Sequence, residues 1–215
     1  MQITHLGHAA VLVEEDDRRI LIDPGSFADG WHGTTDLDAI LITHQHVDHA
    51  DPENLPALLD ANPDAAVYVE PSVIDALGLE RAVPLGADTS IDLGSVTVAA
   101  VGGLHAVIHR DIPQIGNVGL VFTAEGEPTF FHPGDSLTAV PAGIDVLGVP
   151  LLGPWAALKE TVDFVHAVDA PRGFGIHDAL LSERGHQLYS TMLGKLTEIE
   201  LFDLRGAQPW EPPSA

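Results

Sequence analysis

Cysteine is absent from all 215 residues. That excludes disulfides, thiolate metal sites, iron–sulfur clusters and a cysteine nucleophile. Basic residues are scarce as well: nine Lys and Arg stand against 32 Asp and Glu, a formal charge of −23 with neutral His. Nucleic acid and anionic membrane surfaces are therefore disfavoured as partners, because binding them needs cationic side chains to displace counterions. Long apolar runs are missing too. The most apolar later stretch, 146–158, is shorter than a bilayer span and is interrupted by Gly148, Pro150, Gly153 and Pro154. Residues 1–13 carry His5 and His8 and no basic segment leading into an apolar one, so no secretory leader is expected and the protein reads as cytoplasmic. The hydrophobic content of 45% suits a globular chain with a sizeable core, and no break in composition divides it. One domain spanning 1–215 is expected.

Histidine is what the chain does have, and it is concentrated in Ala39–Pro52. Ala39–Ile42 is a short apolar run that reads as a buried strand. Asp51 followed by Pro52 reads as an N-cap carboxylate with Pro at the first helical position. Between strand and helix lie His44, His46, Asp48 and His49, four potential metal ligands within six residues. In extended backbone, 44, 46 and 48 point one way and 49 the other, so one loop can serve two neighbouring ions. Imidazole nitrogen and carboxylate oxygen without thiolate suit zinc, iron or manganese.

His44-x-His46-x-Asp48-His49 resembles the signature of the metallo-β-lactamase-fold superfamily of metal-dependent hydrolases. The resemblance implies a later His, an Asp and a final His. Candidates stand in that order: His105 in Gly-Gly-Leu-His, Asp135 in His-Pro-Gly-Asp-Ser and His177 in Gly-Ile-His-Asp. It assigns His44, His46 and His105 to one metal ion, Asp48, His49 and His177 to a second, and Asp135 to a bridge. The cysteine-containing metal sites of some members are excluded here. Gly7-His8-Ala9 and Ile22-Asp23-Pro24 look like the opening of the phosphodiesterase- and lactonase-like branches, and the L-ascorbate-6-phosphate lactonase-like branch is the most similar. Asp23 is expected to hold a backbone group or a ligand imidazole. His8 could lie near the metals, although a histidine in a hairpin is more often structural.

The rest of the chain alternates strands and helices. Strands are expected over 3–22, 66–69, 81–84, 89–93, 95–101, 118–123, 128–131, 145–149 and 201–204, and helices over 52–61, 72–77, 155–168 and 181–199. Two glycines before His105 let the backbone approach closely, and Gly134 permits the turn that aims Asp135. Trp31 and His32, in a loop without periodicity, are candidates for a wall of the substrate cleft, or anchors of that loop to the core. Arg110 could anchor an anionic substrate group or form a surface ion pair. His109 has no evident place, His132 reads as a core-edge residue, His166 and His186 as exposed or core-edge, and 209–215 as a frayed tail. Two blocks, each running from strands to helices, together with the resemblance imply an α+β fold, a four-layer αββα sandwich.

The implied chemistry is hydrolysis by a hydroxide held between two divalent ions, zinc first and manganese or iron next, cleaving an ester, lactone or phosphodiester bond of a small molecule. Asp48 and Asp135 are the carboxylates expected to take part, Asp48 orienting the hydroxide or moving its proton. An RNA-processing phosphodiesterase is disfavoured by the charge. An iron redox enzyme is disfavoured by Val47, where the diiron flavoproteins of this fold carry Glu. A non-catalytic metal sensor is the bland alternative. A small-molecule substrate, no nucleic acid and no membrane are the expected partners, with a homo-oligomer left open.

Overall fold

In the first third of the chain the strands are apolar at successive positions, and the alternation sends neighbours to opposite faces. Val11, Val13, Ile20, Ile22, Ala39 and Leu41 enter one core, while Ala10, Leu12, Leu21, Ile40 and Ile42 enter another. A sheet buried on both faces results. The computed structural model, which describes residues 1–213, shows what covers each face.

The first sheet contains β1 (Gln2–Gly7), β2 (Ala10–Glu15), β3 (Arg18–Ile22), β4 (Ala39–Ile42), β5 (Ala66–Val69) and β6 (Val83–Pro84), in that spatial order. Helices α1 (Leu55–Ala61) and α2 (Pro71–Leu77) lie in its second half. The second sheet contains β7 (Ser90–Asp92), β8 (Val96–Leu104), β9 (Gly116–Ala124), β10 (Phe130–His132), β11 (Val146–Pro150), β12 (Arg172–Ile176) and β13 (Glu200–Phe202), also in sequence order. Helices α3 (Leu158–Val168) and α4 (Glu183–Leu196) interrupt it. Each sheet begins with antiparallel meanders and ends with parallel strands. The central core joins both sheets, with Phe122, Phe130 and Phe174 stacked inside it. One outer core packs Leu55, Leu58 and Val73 of α1 and α2, and the other packs Val162, Phe164, Val165 and Leu193 of α3 and α4. The layers are helix, sheet, sheet, helix: the metallo-β-lactamase fold.

Several boundaries differ from expectation. Strand β8 continues through Gly102 and Gly103 because its pairing with β9 runs on to Leu104↔Gly116. Helix α1 starts at Leu55, not at Pro52. Asp51 spends its carboxylate on the Glu53 N–H and the Asn54 side chain, which makes a turn of 51–54. Helix α3 starts at Leu158, not at Trp155, since Gly153 and Ala156 form an isolated bridge and Glu160 reaches back to the Ala157 N–H. The tail is not frayed as far as Trp210. That residue exchanges two backbone hydrogen bonds with Ile3 and packs on Phe174 and Phe202. Ser214 and Ala215 lie outside the described residues. No described helix is long and apolar enough to cross a membrane.

Candidate metal centre

All seven candidate ligands come together at one edge, where strands of both sheets end. His44–His49 follow β4, His105 follows β8, Asp135 follows β10 and His177 follows β12. Carboxyl ends of parallel strands commonly hold ligands in open sheets. Hydrogen bonds between the halves, Val118 N to Thr43 O at 3.0 Å and His177 N to His8 O at 2.8 Å, fix the arrangement, and within the second half Asp135 N donates to Asn117 Oδ1 at 2.9 Å. Close backbone approach is built in by two glycines. A Cβ on Gly25 would lie 1.7 Å from the Asp48 carbonyl oxygen, and one on Gly134 (φ +59°) would lie 2.3 Å from Asn117 Oδ1. His8, Asp23 and His177 also have positive φ, a strain that persists only when the surroundings hold it.

The donors form two groups, His44, His46, His105 and Asp135 in one, His8, Asp48, His49 and His177 in the other. In the first, His44 Nε2 and His46 Nδ1 face each other at 3.1 Å, and His105 Nε2 is 3.4 Å from Asp135 Oδ2. In the second, Asp48 Oδ2 is 3.5 Å from His177 Nε2 and 4.0 Å from His49 Nε2. Asp135 lies between the groups: Oδ1 is 3.0 Å from His49 Nε2, and Oδ2 is 3.1 Å from His177 Nε2 and 3.8 Å from His44 Nε2.

Buried polar atoms normally find partners. Here His49 Nε2, His105 Nε2, His177 Nε2 and Asp135 Oδ1 are buried and make no well-directed hydrogen bond. Their rings are fixed through the other nitrogen, each facing an acceptor. His49 Nδ1–H donates to Asp23 Oδ2 at 2.7 Å, His105 Nδ1–H to the Ala106 carbonyl at 2.6 Å, and His177 Nδ1–H to the Leu152 carbonyl. His44 Nδ1–H donates to Thr43 Oγ1 at 3.0 Å, and that hydroxyl donates to Asp23 Oδ2 at 2.7 Å. A ring so held turns a bare Nε2 inward, which is how protein ligands present imidazole to a metal. The residues fit two divalent ions.

His8 behaves differently. Its Nδ1 accepts from the Ala179 N–H at 3.3 Å, so Nε2 carries the proton and donates to Asp48 Oδ2 at 3.1 Å. It therefore orients Asp48 rather than presenting a lone pair. His8→Ala is expected to keep both ions and to lower turnover about tenfold. Metal analysis of that variant decides between the roles, because a ligand role would cost the second ion.

Charge in the cluster is organised around the carboxylates. Burial opposes ionisation of Asp135, yet His49 and His177 hold its pKa well below the usual carboxylate range. Burial likewise opposes ionisation of Asp48, and His177 and His8 beside its Oδ2 outweigh that. His177 is pushed up to about 9 because Asp135 more than offsets its burial, and His49 is raised for the same reason with Asp23 as a second partner. His44 is lowered by burial and by His49. With its pKa about 9, His177 is protonated near pH 7 in the metal-free site and must lose that proton to bind a metal, and His49 is shifted in the same direction. Loading at pH 7 is expected to release protons. Calorimetry in buffers of different ionisation enthalpy reads this, and a heat independent of buffer would contradict it. The linked stability has the opposite sense. His177 has a raised folded pKa, so its contribution is complete below about 6.5 and is lost as pH rises through about 9. Metal-free protein should lose thermal stability over that window.

Residues that sequence patterns single out less clearly find definite places. Asp23 holds both a backbone group and an imidazole: Oδ1 accepts from Thr43 N at 2.8 Å, and Oδ2 from His49. Trp155 is a site residue with no signal in the sequence: its Nε1–H donates to Asp135 Oδ2 at 2.9 Å, and its ring flanks His105 and His177. Trp31 is no cleft wall; it is 1% exposed, donates to the Gly25 carbonyl and anchors its loop in the core under α1. His32 stacks edge-on against it in solvent. Arg110 is solvent-exposed beside Asp111, as is His109. His132 is fully buried and bonds the Ala9 carbonyl. His166 is exposed and His186 is buried. The mouth over the donors is a cavity of about 380 Å³ bounded by Val47, Asp48, Ile108, Pro154, Trp155 and His177.

Comparison with known proteins gives the same family. The model for the beta-lactamase superfamily domain matches residues 2–173. Protein Rv0786c of Mycobacterium tuberculosis is 42% identical over 207 residues, covering 95% of each chain. A UPF0173 metal-dependent hydrolase of Sinorhizobium medicae is 35% identical over 153 residues, covering 63% of each. Among solved structures, the metallo-beta-lactamase fold protein YhfI of Bacillus subtilis superposes with a TM-score of 0.74 at 14% identity, over 98% of this chain and 99% of its own. With six of the seven candidate donors inside the matched span and His177 just beyond it, the chain belongs to the metallo-β-lactamase-fold hydrolase superfamily.

Proposed function

We propose that the protein is a two-metal hydrolase that cleaves an ester, lactone or phosphodiester bond in a small molecule. The observation that carries this reading is the convergence of buried, hydrogen-bond-free donor atoms on Asp135. His44, His46 and His105 would hold one ion and Asp48, His49 and His177 the other, with Asp135 lying between the two sets. The nitrogen–oxygen set without sulfur favours zinc, then manganese or iron. When bound, the pair would supply Lewis acidity, lowering the pKa of a water and polarising the oxygen of the scissile bond.

The chain's own residues do the rest. Asp48 lines the mouth with its side chain 17% exposed, and His8 and His177 flank its Oδ2. That oxygen can take a proton from an attacking water and pass it to the leaving group. Trp155 fixes the other carboxylate and closes the mouth on one side, shielding the reacting atoms from bulk water. A charge of −23 with few basic residues favours a small molecule over nucleic acid.

The test is turnover of a panel of ester, lactone and phosphodiester probes before chelation, after it, and after restoring zinc or manganese. Activity on at least one class that disappears with the metal and returns with it is expected. Full turnover after verified metal removal would defeat the proposal.

A further inference from the structure

We propose that the substrate carries an uncharged apolar group next to the scissile bond, and that a chamber beside the metal centre receives it; this rests on the hydrolase reading above. The chamber has a volume of about 490 Å³ and is lined by Leu104, Val107, Leu137, Trp155, Phe164 and Ala167. Its size is that of small-molecule sites, roughly 300–1,000 Å³. His105 also forms part of its wall, and Trp155 bounds both the chamber and the mouth over Asp48, so a molecule with its reacting bond at the ions can extend past the indole.

Three observations define the occupant. Large apolar side chains face water there: Leu104 is 57% exposed and Val107 61% at the chamber, and Val47 52% at the mouth. Apolar surface left open beside a polar site is where an apolar ligand group gains by burial. Among the described residues no Lys or Arg lines either cavity. The charged lining of the chamber is Glu160 and Asp163 on α3, and Asp163 has no ion pair among the described residues. An anionic tail, phosphate included, would meet carboxylates and no cationic partner. The chamber thus accepts an alkyl or aryl group and rejects a phosphorylated or carboxylated one.

The experiment uses the full chain loaded with metal and two ester series: p-nitrophenyl alkanoates from acetate to octanoate, and alkyl acetates of matching length, with the p-nitrophenyl monoester of adipate as the anionic comparator. In at least one series kcat/KM is expected to rise about a hundredfold from the shortest to the longest member as methylenes are buried. The adipate monoester should fall at least about tenfold below octanoate. Ala167→Trp, which fills the chamber from an exposed position on α3, should collapse the length preference, and Asp163→Lys should narrow the adipate penalty, both with unchanged melting temperature. Turnover that is flat with length in both series, or a preference for adipate, overturns the chamber and leaves the hydrolase. If no ester is turned over at full metal loading, ester hydrolysis fails. Calorimetric binding of octanol that Ala167→Trp abolishes would then still support the chamber, and no binding would overturn it.

Discussion

Asp135→Asn is expected to lower turnover by at least about a hundredfold and to cost one of the two ions proposed above. The carboxylate turns one oxygen toward His49 Nε2 and the other toward His177, His105 and the Trp155 indole. An amide keeps the shape but offers one acceptor oxygen and no charge. With Oδ toward one group, its NH₂ faces the other, and the Trp155 N–H or a metal loses its partner. The second ion should leave first, because its set has two imidazoles and the first has three. Loss of the charge should also bring His49 and His177 back toward ordinary values in the metal-free protein, removing most of the proton release on loading. The fold should persist, since the cores between and outside the sheets lie elsewhere. Near-normal metal content and activity would show that Asp135 is only a turn residue.

Asp23 carries the second large effect, and it acts on stability. Its carboxylate is fully buried and satisfies Thr43 N, Thr43 Oγ1 and His49 Nδ1 together. Asp23→Ala leaves three donors unpaired at the point where β3 and β4 deliver the metal loop, and should cost about 3–5 kcal/mol. For a chain of this size that lowers the melting temperature by roughly 10 °C. Asp23→Asn separates architecture from ligand chemistry. Its oxygen can still accept from Thr43 N, but its NH₂ opposes His49 Nδ1–H. The ring then loses the partner that keeps Nε2 bare, and affinity for the second ion should fall about 10–100-fold. An Asn variant as destabilised as the Ala variant, with metal affinity intact, would assign Asp23 to the fold alone.

The candidate donors stand out in the sequence because metal chemistry restricts residue type: three His and one Asp between a strand and a turn leave few other readings. Strands were legible where both faces are apolar, as in Ala39–Ile42. What failed were features decided by particular side-chain and backbone contacts, some local and some between the two halves. Asp51–Pro52 has the chemistry of a helix start, but Asn54 is near enough to take the carboxylate into a turn. Trp155 sits at helical spacing from the apolar positions of α3, and only the Gly153–Ala156 bridge removes it from the helix and places it on Asp135. Trp31, a plausible cleft residue in a loop, is withdrawn into the core by its bond to Gly25. His8 lies 40 positions from Asp48, and nothing in a hairpin histidine reveals which nitrogen will meet a donor. The prolines of the tail suggest fraying, whereas Trp210 finds an aromatic seat against the sheet.

The most direct test of the two-metal centre is the number of ions bound per chain, measured on freshly purified protein titrated to saturation with turnover followed on the same sample. Two ions per chain are expected, with activity appearing as the second fills. Saturation at one ion with full activity would contradict the assignment of Asp48, His49 and His177 to a second metal.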